Sequence, residues 1–277
     1  MKLSSSIILF SAAVFAAGCS SGNKQSSSDA ENLLEQAREA VSANQGARAL
    51  ALLDSLTNGY PSDVECVRGA IELRPKAIEI QTLEDISRCD STMEASKKQI
   101  SALRESLKWV REPRMVEGFW VDAKTYNPSF MNTTAIQARV SEIGEFYIVS
   151  SVNPGVGHTA LSLSDGGRTA TTPAVSYDGE SNYRIAGGEV ITFSPEQSDS
   201  IGKFAAENVS RPLTLRFTGG KGKTMKLSAA QTMAIANAYL LAKAMEAGRN
   251  SDVERQRLQK QLELARSQQE RLAGKTK

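Results

Sequence analysis

Two periodicities divide this chain. From residue 29 to 111, and again from 228 onward, apolar or small residues recur at steps of three and four, which places them on one stripe of a helix. From 112 to 227 apolar residues alternate with polar ones, and Gly, Thr, Val, Phe and Tyr become frequent, the pattern of half-buried strands. In the first helical stretch, Leu33, Ala37 and Ala40, then Ala49, Leu53 and Leu56 beyond the Asn44-Gln45-Gly46 turn, predict an αα-hairpin. Ser28 with Glu31, and Ser62 with Glu65 after Pro61, have capping-box spacing and mark helix starts. From Lys76 to Val110 a second stripe has coiled-coil spacing: Ile86, Cys89, Met93, Ser96, Ile100, Leu103, Leu107 and Val110. Lys97, Lys98, Arg104 and Lys108 lie off that stripe, on a solvated face.

In the middle, strands are expected at 116–124, 135–142, 145–152, 158–164, 168–175, 182–186, 189–193, 213–218 and 223–227. Pro154-Gly155, Asp165-Gly166-Gly167, Asp178-Gly179, Gly187-Gly188 and Gly219-Gly220 supply the turns between them. Short strands at this spacing predict a sandwich or a partly open barrel. One helix, 195–208, interrupts them: Ser194 caps it, Pro195 takes its first position, Gln197 closes the box, and Ile201, Phe204 and Ala205 face the sheets. Ser228 and Gln231 open the last helix, whose apolar positions are Met233, Leu240, Leu241, Ala244, Leu258, Leu262, Ala265 and Leu272, with Gln269 as a polar seam residue. Gly248 and Asn250-Ser251-Asp252 mark a place for a kink or a new cap. The expected fold class is α+β: a helical hairpin and long helix, an antiparallel β sandwich or barrel-like domain, and a C-terminal helix pairing antiparallel with the long N-terminal one as a stalk to the β head. The domain boundaries are 29–111 for the helical region, 112–227 for the β domain and 228–277 for the C-terminal coiled-coil helix.

Ahead of these elements, Lys2 and the apolar run Ile7 to Phe15 read as a secretory signal too short to span a bilayer comfortably. The run closes on Ala16-Ala17-Gly18-Cys19, which resembles a bacterial lipobox. That resemblance implies a cleaved signal peptide over 1–18 and a lipidated Cys19, with membrane attachment by several acyl chains. The polar tract that follows makes 19–28 a flexible tether with a root-mean-square reach of about 17 Å for roughly ten residues. In Gram-negative lipoproteins, which this segment resembles, an Asp after the cysteine marks inner-membrane retention and an acidic cluster marks surface export in some groups; neither is present here, so the resemblance implies the outer membrane facing the periplasm rather than the cell surface. Leu33, Ala37, Ala40, Ala49, Leu53, Leu56 and Pro61 also resemble one tetratricopeptide repeat, from which Gln36 departs. One repeat cannot bury its own face, so a hairpin docked on a third helix is the alternative. The overall layout, with the stretch Arg114-Met115-Val116-Glu117-Gly118-Phe119-Trp120, resembles uncharacterised envelope lipoproteins that combine a helical N-terminal part, a β domain and a C-terminal helix.

Charge narrows the partners: 33 Lys and Arg against 31 Asp and Glu give a net +2, which offers nothing to nucleic acid. With Cys19 lipidated, two readings remain for Cys66 and Cys89. They form a disulfide if Pro75 makes a turn between them, or they are two thiols at helical seam positions, since one unbroken helix would hold them about 34 Å apart. The single histidine, His158, reads as structural, with no second His or available Cys for a metal set and no G-x-S-x-G elbow for a triad. Gly219-Gly220-Lys221-Gly222-Lys223-Thr224 reads as a hairpin turn, because the first glycine of a P-loop falls at Phe217 and no helix follows. Glu142, Glu145, Asp178, Glu180 and Glu189 match no ion-binding loop. Phe119, Trp120, Tyr126 and Phe130 form the densest aromatic group and are the candidate platform for a glycan or peptide. No catalytic, cofactor or metal residues are assigned. The expected function is a noncatalytic envelope lipoprotein that contacts another envelope protein or itself through its helices. The alternative is a glycan or cell-wall binding module using the β domain.

Overall fold

The structure, a computed structural model, describes residues 22–111, 117–185 and 187–275. The signal segment 1–18, Cys19 and the stretch Arg114 to Val116 lie outside the described residues. The chain divides into two units, 1–85 with 258–277, and 86–257. Two helices contribute to both: α3 (Val64–Arg104) and α5 (Ala229–Lys275).

The first unit is helical. α1 (Gly22–Ser42) and α2 (Gly46–Gly59) form the expected hairpin and dock on α3, the second of the two readings of the repeat-like pattern. Ala30, Leu34, Ala37 and Val41 of α1, Ala49, Leu53 and Leu56 of α2, and Cys66, Ala70 and Ala77 of α3 repeat at helical spacing and share one core. The turn works because Asn44 takes a left-handed conformation, φ 55°, which Asn tolerates better than most residues. Gly46 is needed for a different reason: a Cβ there would lie 2.5 Å from the Gln81 backbone nitrogen on α3. α1 is helical from Gly22, so residues 22–28 of the expected tether belong to a helix and Ser28 is no cap. At the start of α3, Asp63 rather than Ser62 caps the helix, its Oδ1 accepting the Cys66 N–H at 3.1 Å.

Pro75 does not break α3, which runs unbroken for 41 residues with the proline inside it. Pro75 removes one donor, and its own carbonyl is held by Gln269 Nε2 of α5 at 3.3 Å. Glu79 accepts from Gln269 at 2.7 Å and from Arg266 at 2.8 Å, so Gln269 is the polar seam residue expected. In the second unit Asp90 faces Arg255 at 3.8 Å, Ser96 faces Gly248, and Ser106 accepts from Asn237 at 3.2 Å. Within each unit the numbering of α5 falls as that of α3 rises, so the two helices are antiparallel. α5 is a single 47-residue helix without a recap at Asn250 to Asp252, and Met233 is exposed rather than on its buried stripe.

The β domain begins earlier than the periodicity suggested. Leu107 and Val110 belong to a strand, β1 (Leu107–Val110), because α3 ends at Arg104 and the alternation Leu-Lys-Trp-Val pairs with β2 (Phe119–Asp122). The remaining strands are β3 (Ala135–Ser141), β4 (Phe146–Val152), β5 (Ala160–Ser164), β6 (Thr169–Thr171), β7 (Asn182–Ile185), β8 (Gly188–Phe193), β9 (Thr214–Thr218) and β10 (Lys223–Lys226). They form two antiparallel sheets, ordered β1-β2-β3-β4-β8-β7 and β10-β9-β5-β6. Val140, Ile148 and Phe193 of the first sheet meet Leu161, Leu215 and Phe217 of the second in one core. α4 (Pro195–Glu207) carries the full capping box of Ser194 and Gln197 and buries Ile201, Phe204 and Ala205 in that core. Ser198 ties it down, its Oγ accepting the Ile148 N–H at 3.0 Å and donating to the Phe193 carbonyl at 3.1 Å.

Gly46→Ala should lower stability by about 1–3 kcal/mol through overpacking, because the Gln81 backbone cannot rotate out of the way. Gly59→Ala, where a Cβ meets nothing within 4 Å, should be neutral or raise it by up to about 1 kcal/mol. Urea midpoints of the two variants read the difference.

Candidate functional site

Alternation along β4 points Ile148, Ser150 and Val152 inward, and along β8 it points Glu189, Ile191 and Phe193 inward. A serine and a glutamate therefore occupy positions that the pattern reserves for apolar side chains. The register Ser150↔Ile191 and Val152↔Glu189 sets them one step apart across the strand pair. His158, just before β5, fills the space between them. Its Nε2 is 2.8 Å from Ser150 Oγ and its Nδ1 is 2.5 Å from Glu189 Oε1. Ser150 and His158 are 0% exposed and Glu189 is 1% exposed. The ring stands edge-on to Phe217, with centroids 5.5 Å apart. Serine, imidazole and carboxylate thus stand in the linear relation of a hydrolase triad.

The protons can be placed. Burial alone would raise the Glu189 carboxyl, but the His158 ring and the backbone N–H groups of His158, Val156 and Gly157 all donate to it and hold its pKa below the usual glutamate range. Burial lowers the His158 pKa, and the attraction of Glu189 does not restore it. At neutral pH the ring is neutral, Nδ1–H donates to Glu189, and Nε2 accepts the Ser150 hydroxyl proton. Arg184 approaches Glu189 at 3.7 Å from the half-exposed side.

The direction of access is the reverse of a hydrolase. A groove of about 520 Å³ lined by Gly155, Gly157, Arg184 and Gly188 reaches Glu189, while Ser150 does not line it. In a serine hydrolase the nucleophile meets the substrate and the acid lies behind the imidazole. Here the carboxylate lies nearest the solvent and the hydroxyl deepest, so the constellation works as a polar tie between the sheets. The sequence shows no elbow motif, so Ser150 was missed and Glu189 stood only among carboxylates that match no ion-binding loop; their signal was polarity in an apolar phase of two strands.

The other candidates separate. Phe119 and Phe130 are buried, and Arg139 stacks on both, 4.0 Å and 6.0 Å from the ring centroids. Arg104 covers Trp120 at 4.6 Å and Lys108 covers Tyr126 at 3.6 Å, so these four rings present no open platform. Trp120 pairs instead with Trp109, which the helical reading of that stretch had hidden. Cys66 and Cys89 are free thiols on one continuous helix, which overturns the disulfide; burial pushes the Cys66 thiol up. The glycine-rich run joins β9 to β10 as a hairpin, and a Cβ at Gly220 would fall 2.1 Å from the Val156 carbonyl oxygen. Asp178 accepts the N–H groups of Glu180 and Asn182 in its own turn, at 2.9 Å and 2.8 Å. Among the described residues no three His, Cys, Asp or Glu converge for a metal, and no helix is long and apolar enough to cross a membrane. No protein-family model matches the chain, and no curated protein or solved structure matches it either.

Folding stability should fall as pH drops below about 6.5, the ordinary histidine value, by at most about 1.4 kcal/mol per pH unit for one proton. The sign follows from the depressed folded-state pKa: the unfolded ring takes up a proton that the folded ring resists. Glu189, also depressed, adds to the loss below about 4.5. Because the chain has one histidine, His158→Leu should flatten the slope between pH 7 and 5 in denaturant titrations. Glu189→Ala, which strips the acceptor from three backbone N–H groups and the ring, should cost about 3 kcal/mol or more at pH 7.

Proposed function

We propose that this chain is a noncatalytic component of a bacterial cell envelope, held at the outer membrane by lipid on Cys19 and facing the periplasm. Its helices contact another envelope protein or a second copy of the chain. Support for the anchor comes from the apolar run ending in Ala16-Ala17-Gly18-Cys19. The observation that carries the noncatalytic reading is the order of burial in the Ser150, His158 and Glu189 constellation. The only histidine in the chain is committed to a fully buried tie whose hydroxyl does not line the groove that reaches the carboxylate. A glycan-binding role for the β domain is the less supported reading, since cations or core packing occupy the faces of the four aromatic residues that would serve it.

Mass spectrometry of the processed N-terminus should find acyl chains on Cys19, and Cys19→Ala should move the protein from the membrane to the soluble fraction. An unmodified Cys19 thiol, or a Cys19→Ala protein still on the membrane, contradicts the anchor. A fluorophosphonate probe should leave Ser150 unlabelled in the folded chain; stoichiometric labelling there would make the protein an enzyme.

A further inference from the structure

A second interior feature is a largely enclosed cavity of about 160 Å³ in the second unit, apart from the polar tie. It exists because β2 pairs with β3 only through Phe119↔Ser141 and Trp120↔Val140. Beyond Trp120 the two strands part, and the first turns of α5 close the gap. Val121, Phe130, Ile136 and Ile235 form apolar walls. No Lys, Arg, Asp or Glu lines it, so an ionic occupant would lose its hydration without compensation.

Three side-chain amides also line the cavity, and each has its oxygen engaged elsewhere. Gln137 Oε1 accepts from Arg139 Nε at 2.6 Å, Asn127 Oδ1 from the Ser129 N–H at 2.9 Å, and Gln231 Oε1 from the Ser228 N–H at 2.9 Å. All three partners are donors, which fixes the oxygen end of each amide and leaves the NH2 end free. Gln137 is only 6% exposed, yet its Nε2 makes no hydrogen bond among the described residues. The residue is buried as a whole but this nitrogen is still reached by solvent, so it is open to a ligand acceptor. The cavity therefore combines apolar walls with the unspent donor of Gln137 and no carboxylate.

We infer that this cavity is a binding site for a neutral, ring-sized organic molecule with an apolar body and a carbonyl or hydroxyl oxygen that accepts from Gln137. The size fits, since a cavity of about 150 Å³ holds a benzene-sized guest. Water is the competing occupant; about five molecules would fill the volume, and each needs two to four polar partners, which Thr125, Asn127, Gln137 and Gln231 supply on one side while Val121, Phe130, Ile136 and Ile235 supply none. The inference does not depend on how the chain is anchored.

Cyclohexanone and cyclohexylammonium are matched probes, one an acceptor and one a cationic donor, titrated against the purified chain with the side-chain amide NMR signals of Gln137, Asn127 and Gln231 as the readout. Cyclohexanone should give saturable shifts at these signals, with cyclohexylammonium at least tenfold weaker. Gln137→Glu keeps the acceptor for Arg139 and removes the donor, so it should weaken the ketone at least tenfold and narrow or reverse the preference over the ammonium ion. Ala234→Leu should fill the cavity and abolish both, with the thermal transition of each variant confirming the fold. The site is overturned by ketone shifts that never saturate, by equal ketone binding to parent and Gln137→Glu, or by a crystal structure grown with the ketone that holds ordered water alone in the cavity.

Discussion

A carboxylate with 1% of its surface exposed sits between the two sheets, and the fold around it is arranged to make that tolerable. An unpaired buried charge is far too unfavourable for a domain of ordinary stability to carry. Glu189 is held by an imidazole and three backbone N–H groups, all from residues 156–158. The same bonds shape the loop that leads into β5, so solvation of the charge and connection of the two sheets are one arrangement. The glycines of the β9–β10 hairpin belong to it as well, because Gly220 lies against the Val156 carbonyl where a methyl group has no room.

Much of the architecture was readable in the chain because it depends on local signals. The inserted helix shows this best: Ser194, Pro195 and Gln197 encode its start within four residues, and the capping box forms as the spacing requires. The strands between glycine turns were legible for the same reason. What could not be read depends on partners distant in sequence. Leu107 and Val110 continue a helical stripe, and only the arrival of β2 makes them a strand. Pro75 looked like a break, yet α3 continues through it and buries Ala70 and Ala77, on either side of it, in one core with α1 and α2. The Ser150, His158 and Glu189 set spans three elements and resembles no short motif, although a serine and a glutamate in the inward phase of otherwise apolar strands were a usable sign.

The two interior polar features differ in what they offer chemically. In the tie, every hydrogen-bonding group described has a partner and the hydroxyl is fully buried, which suits cohesion. In the cavity beside β3, the Gln137 amide keeps a donor without a partner among the described residues beside Val121, Phe130, Ile136 and Ile235. Which groups are satisfied and which are open distinguishes the two features better than residue identity does.

The burial of both faces of β8 has one more effect. Val190 packs outward with Phe130 and Val149 while Ile191 packs inward, so hydrophobic alternation alone hardly distinguishes one alignment of β8 against β4 from its neighbour one residue along. Sliding by a single step would turn Glu189 away from His158 and leave the imidazole facing an apolar strand. A lone charge thereby acts as a locating pin, selecting one pairing among several that grease alone would accept.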